Sequence, residues 1–249
     1  MAKNTYPKPK KASRAASSTP PSRAPEPSVD RIEELAGRIL RGDILLPKFQ
    51  RDFVWEKHQI IDLLDSIANN YPIGSVLLWR SREHLKSERN IADLEIAQTQ
   101  ADYPVNYLLD GQQRLSTICG ALYWKGTNAD SRWNVAYDLR TKTFLHLDTL
   151  SDPPLHQVRL NKIIDPSAYF LHVSSLKTLG AGDVDVLETR AKELFDRFKD
   201  YKLATVTLHE MSIQDVAPIF ERINSRGTPL TIVDLMRAAT ATRQTSLIY

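Results

Sequence analysis

A chain of 249 residues with 42% apolar and 25% charged side chains has ordinary globular makeup, enough for one large domain or two small ones. Its single cysteine, Cys119, excludes a disulfide framework and a cysteine-rich metal site, and no apolar run approaches the roughly 18–20 residues a membrane span needs, so no membrane partner and a reducing, cytoplasmic setting are expected. The formal net charge of +3 is uneven: residues 1–28 hold six Lys and Arg against Glu26, a net +5, which leaves −2 for the remainder and argues against a polyanion-binding face spread over the whole fold, while a local basic cleft stays open.

Residues 1–28 carry six of the 14 prolines and no Leu, Ile, Val or Phe, too little apolar surface to offset the entropy of ordering. This segment reads as a disordered basic tail, and residues 29–249 as one domain, truncated from a larger protein. From Ser28 the spacing of Ile32, Leu35, Ile39 and Leu40 predicts a helix that stops at Gly42. Ile44 to Phe53 is read as extended, because Pro47 forbids a helix interior. Glu56 to Asn69 aligns Ile60, Ile61, Leu64, Ile67 and Ala68 on one helical stripe closed by Tyr71-Pro72.

Ile73 to Trp79 and Val105 to Leu109 are short apolar runs of strand type, separated by a charged stretch from Arg80 to Pro104 that reads as a surface excursion. Leu115, Ile118, Cys119 and Leu122 then mark a helix, so Asp110-Gly111 sits at a strand-to-helix junction. Trp133–Leu139 and Thr143–Leu147 suit a hairpin, Val184 to Phe198 a helix, and Ala204 to Leu208 a strand. A helix opening at Ser212 runs through Pro218 towards Arg226-Gly227, and a loose capping box at Thr231–Asp234 begins another. The sum is a mixed α/β (α+β) domain, a mixed sheet flanked by helices with additional C-terminal helices. Trp55, Trp79, Trp124 and Trp133 are expected as core and rim packing.

Asp110-Gly111-Gln112-Gln113-Arg114 is the sharpest feature for chemistry. The first turn of a helix offers unpaired N–H groups and a partial positive charge, and Gly111 lets the backbone approach a ligand. Arg114 can fork onto a phosphate, Gln112 or Gln113 can orient water or a sugar, and Asp110 can hold Mg2+. A plainer reading stands beside it: Asp110 as helix N-cap, with Gln113 completing a capping box. Phe49-Gln50-Arg51 presents Gln50 and Arg51 either towards a cleft or, for Arg51, over the Trp55 ring. Arg222 and Arg226 share a helix face where an anion can sit between them, or simply cap a solvated helix end.

Leu46 to Trp55, Tyr71 to Ser75, Leu108 to Arg114 and Phe220 to Gly227 occur in an order that resembles the N-terminal DGQQR domain of GmrSD-type modification-dependent restriction and phage-defence proteins. The resemblance implies a ParB- and sulfiredoxin-like fold that binds and hydrolyses a nucleoside triphosphate, with Mg2+ as cofactor. It implies Asp110, Gln112, Gln113 and Arg114 as catalytic residues, Asp110 as metal ligand, and Gln50, Arg51, Gly111, Arg114, Arg222 and Asn224 as the nucleotide-contacting set. It also implies a nuclease module in trans or in a C-terminal part, with DNA a possible partner and a homo-oligomer possible. The six histidines, His58, His84, His146, His156, His172 and His209, are scattered singly, so no nuclease activity is expected of this chain alone. The alternative function is a non-enzymatic DNA sensor using the same arginine-lined cleft.

Overall fold

A computed structural model describes residues 24–50, 52–97, 104–179, 183–209 and 211–224, the last of these, Asn224, by its backbone alone. Strand β1 (Glu26–Arg31) leads straight into helix α1 (Ile32–Leu40), whose Ile32, Leu35, Ala36 and Ile39 are fully buried. Gly42, at φ 81, ends it as expected: Gly42 N–H donates to the Ile39 carbonyl and Asp43 N–H to that of Arg38. Two residues of strand β2 (Ile44–Leu45) follow, then helix α2 (Lys57–Ala68) and strand β3 (Ser75–Ser81). A small hairpin of β4 (Asn90–Ile91) and β5 (Leu94–Glu95) precedes β6 (Val105–Asp110) and helix α3 (Gln112–Tyr123). Strands β7 (Val135–Asp138), β8 (Thr143–His146) and β9 (Gln157–Arg159) form a separate antiparallel sheet in the order β8-β7-β9. Helices α4 (Leu160–Ile163), α5 (Pro166–Leu176) and α6 (Val184–Asp200), strand β10 (Lys202–His209) and helix α7 (Ile213–Asn224) complete the described chain.

The main sheet is mixed, in the order β1-β10-β3-β6-β2, with β10 parallel to β3, β2 parallel to β6, and the other two pairs antiparallel. Side chains alternate across it. Val76 and Leu78 of β3, Leu108 of β6 and Leu203 of β10 face a large core built with α1, α2, α3 and α6. Trp79, Tyr107, Leu109 and Leu208 point the other way, against Val216, Ala217 and Phe220 of α7. This is the expected mixed α+β architecture, with helices on both faces of the sheet. Trp79 and Trp133 are core residues and Trp124 is nearly so, as expected.

Two expectations are corrected, and one stretch without an expectation is filled in. Residues 1–23 lie outside the described residues, but Glu26–Ser28, the end of the segment read as a disordered tail, pair with Thr207, Val206 and Thr205 of β10. Pro27 is tolerated there because β1 is an edge strand. The stretch from Arg80 to Pro104 is more than a surface excursion: Leu85, Ile91, Leu94 and Ile96 are buried, and Ala92 and Asp93, at φ 50 and 65, make the tight turn of the β4–β5 hairpin. Residues between Leu147 and Val184, which carried no prediction, contain β9, α4 and α5; Asp165 caps α5 by accepting from the N–H groups of Ser167 and Ala168. The predicted helix from Thr231 lies outside the described residues.

Candidate functional site

Strand β6, inside the sheet, delivers Asp110 to its end, and the chain turns into α3 at Gly111, whose φ of 101 only glycine adopts without strain. A Cβ here would stand 3.1 Å from the Val76 side chain. Gly111, not Asp110, is the N-cap of α3, and no side chain caps that turn. The capping-box reading of Asp110 and Gln113 is therefore overturned, and both side chains are directed elsewhere.

Asp110 accepts a hydrogen bond through Oδ2 from Arg114 Nη2 at 2.9 Å, an ion pair one turn along the helix. Arg114 also donates through Nη1 to the Ile73 carbonyl at 2.9 Å, and its side chain is only 19% exposed. The guanidinium thus ties the end of β6, the first turn of α3 and the turn before β3 to each other. Gly74, at φ 90, makes room for it, since a Cβ would collide with the Arg114 guanidinium. Tyr201, between α6 and β10, secures the same turn from behind by donating from its hydroxyl to the Tyr71 carbonyl at 2.5 Å. Burial raises the Tyr201 phenol above its ordinary value, against a smaller opposing effect of its backbone contact at Ile73, so it remains a donor at neutral pH.

Gln113 is used just as fully. Its Oε1 accepts from Val54 N–H at 2.9 Å and its Nε2 donates to the Asp52 carbonyl at 3.1 Å. Gln50 Nε2 donates to the Leu108 carbonyl of β6. The two glutamines fasten the segment between them against the strand-to-helix junction. Arg132 holds its far end, donating to the Trp55 carbonyl at 3.2 Å and lying over the Phe53 ring. The Gln112 side chain makes no hydrogen bond among the described residues.

These groups frame a cavity of about 550 Å³, within the usual range for a small-molecule site. Gln50 and residues 110–114 form one wall, Asp62 and Ser66 of α2 another, and Trp55, Pro72 and Phe220 supply apolar surface. Gln50, Asp110, Gly111, Gln112, Gln113 and Arg114, singled out from sequence, thus share one cavity. Arg222 lies on α7, exposed and outside that lining. Arg51, Arg226 and the side chain of Asn224 fall outside the described residues. Asp62, Ser66 and Phe220 were not foreseen as lining residues. Asp62 and Ser66, four apart on α2 and joined by a bond from the Ser66 hydroxyl to the Asp62 carbonyl, look in sequence like any solvated polar face.

Among the described cavity residues two carboxylates, Asp62 and Asp110, stand against the single cation Arg114, which is already paired. Such a lining repels a bare polyanion and suits one that arrives with a divalent cation. Among the described residues no group of three or more His, Cys, Asp or Glu gathers for a metal, and no helix is long and apolar enough to cross a membrane. Cys119, inside α3, is buried and its thiol is pushed up to about 12 by burial, which makes it inert.

A family model described as the GmrSD restriction endonuclease N-terminal domain matches residues 32–241. An uncharacterized protein of Methanocaldococcus jannaschii is 31% identical over 94 residues, a segment that is 36% of this chain and 16% of that protein.

Proposed function

The chain belongs to the family of GmrSD restriction endonuclease N-terminal domains, and on that premise we propose that its Asp110–Arg114 cleft binds a nucleoside triphosphate with Mg2+ and hydrolyses it to regulate a nuclease, held in trans or in a C-terminal part, of a restriction or phage-defence system. The observation that carries this reading is the first turn of α3: no side chain caps it, glycine leads into it, and it opens on a cavity of about 550 Å³. Backbone N–H groups in that position favour a phosphate.

The donor set suits Mg2+, which needs only one or two carboxylates when phosphates and water complete its shell. Asp110, assisted by Asp62 across the cavity, would hold it, and the bound ion would neutralise phosphate charge. Arg114 acts mainly by fixing the Asp110 carboxylate and the Ile73 turn, since two of its N–H groups are committed there. Gln112, with a free amide, is the residue to orient attacking water or the ribose. Gln113 contributes indirectly, by holding residues 52–54 as the cavity rim. Trp55 and Phe220 offer apolar surface to a base.

The test is Mg2+-dependent phosphate release from each of the four common triphosphates. Wild type is expected to release phosphate from at least one, and Asp110→Asn to lose that activity while keeping its melting temperature, because an amide oxygen still accepts from Arg114 but is a poor Mg2+ ligand. Release by Asp110→Asn at the wild-type rate would contradict the assignment.

A further inference from the structure

Trp55 reaches the triphosphate cavity at the end of a segment, residues 52–55, that belongs to no helix or strand. Its indole N–H has no hydrogen-bond partner among the described residues, so the ring is placed by its backbone and by packing. Residues from outside the cavity fix both. Arg132 donates through Nη1 to the Trp55 carbonyl at 3.2 Å, and its guanidinium carbon lies 5.4 Å from the centre of the Phe53 ring. Phe53 in turn meets Trp55 at 6.4 Å and Trp133, the residue after Arg132, at 4.9 Å, both with rings edge to face.

Trp133 cannot give way. It is buried, its indole N–H donates to Asp93 Oδ2 at 3.0 Å, and it sits so closely on Gly120 of α3 that a Cβ there would stand 2.4 Å from its ring. Arg132 has the opposite character: it is exposed and makes no ion pair among the described residues. An exposed arginine that fastens one carbonyl and covers one ring contributes little to stability. Neither Arg132 nor Phe53 lines the cavity, whereas Trp55 does. Whatever Arg132 does for the site, it does through Trp55.

On the reading that the cavity takes a nucleoside triphosphate, we propose that Arg132 is a positioning residue for the base: it holds Trp55 as the surface on which the base stacks. Arg132 thereby sets affinity for the nucleoside half of the substrate and leaves the phosphate half to the Asp110–Arg114 turn. Stacking on an aromatic face tolerates every base, because each has a π-face. This contact therefore governs how tightly a nucleotide binds rather than which one. Because Arg132 acts only through Trp55, its effect vanishes once the indole is gone.

The experiment is calorimetric titration, in Mg2+, of nucleoside triphosphates and of inorganic tripolyphosphate, which has the phosphates and no base. The full chain is compared as wild type, Trp55→Ala, Arg132→Ala and the double variant, with steady-state phosphate release alongside. Wild type is expected to bind its best nucleoside triphosphate more tightly than tripolyphosphate. Trp55→Ala should weaken that nucleotide about tenfold and Arg132→Ala several-fold. The double variant should be no weaker than Trp55→Ala, and tripolyphosphate binding should be the same in all four. Arg132→Ala should raise KM for the nucleotide, keep kcat and melt close to wild type. Arg132→Lys, whose ammonium can still donate to the carbonyl and lie over Phe53, should restore most of the affinity. Nucleotide binding by Arg132→Ala as tight as that of wild type, equal weakening of tripolyphosphate, or effects that multiply in the double variant would each overturn the proposal. A wild type that binds tripolyphosphate as tightly as any nucleotide refutes the stacking surface and leaves the phosphate cleft standing. One that binds neither refutes the triphosphate reading and this proposal with it.

Discussion

The two ends of strand β3 place arginines in opposite conditions. At the Gly74 end, Arg114 is mostly buried, paired with Asp110 and bonded to the Ile73 carbonyl. At the Ser81 end, Arg80 and Arg82 are exposed and without a partner among the described residues. One residue type therefore does two kinds of work. A guanidinium whose donors are spent inside the fold sets geometry, and removing it leaves buried acceptors unsatisfied. A guanidinium left in solvent costs little to keep and little to lose, and is available to an external anion. The contrast makes stability the quantity that separates the two ends.

The strongest break of that contrast is Gly74→Ala. It combines a left-handed backbone position with a Cβ placed on the Arg114 guanidinium, and is expected to cost about 2–4 kcal/mol in chemical denaturation. A neutral result would mean that Arg114 is not held where it is described. Arg114→Ala should follow at about 1–3 kcal/mol, since the Ile73 carbonyl and the Asp110 carboxylate both lose their donor. Tyr201→Phe, which deprives the Tyr71 carbonyl of its partner behind the same turn, should cost about 1 kcal/mol. Smallest of all, Arg80→Ala and Arg82→Ala should each stay within about 0.5 kcal/mol of wild type. A loss from either as large as that from Arg114→Ala would erase the distinction between the two ends.

Much of this frame is legible in sequence. The strand runs Ile73–Trp79 and Val105–Leu109, the stripe of α2 and the position of Asp110-Gly111 at a strand-to-helix junction all correspond to described elements. What periodicity cannot supply is partner choice across the fold. Gln113 is three residues beyond Asp110, the spacing of a capping box, yet its amide bonds to residues 52 and 54, about sixty positions away. Arg114 reads as a free phosphate ligand until the Ile73 carbonyl, brought near by the β3–β6 pairing, is seen to hold it. The β4–β5 hairpin escaped because its buried Ile91, Leu94 and Ile96 are spaced among charges, with no run or stripe to mark them. Helix α5 did carry a readable start, Asp165-Pro166-Ser167, a capping carboxylate before proline at the first helical position.

The most direct test of the central claim is calorimetric titration of each common nucleoside triphosphate into wild type and Asp110→Asn, with Mg2+ and then with excess chelator. The account predicts that at least one triphosphate binds wild type at about one per chain in Mg2+, that chelation weakens this binding at least tenfold, and that Asp110→Asn binds weakly and alike in both conditions. Absence of binding by any triphosphate to wild type in Mg2+, or binding by Asp110→Asn as tight and as Mg2+-dependent as that of wild type, would contradict it.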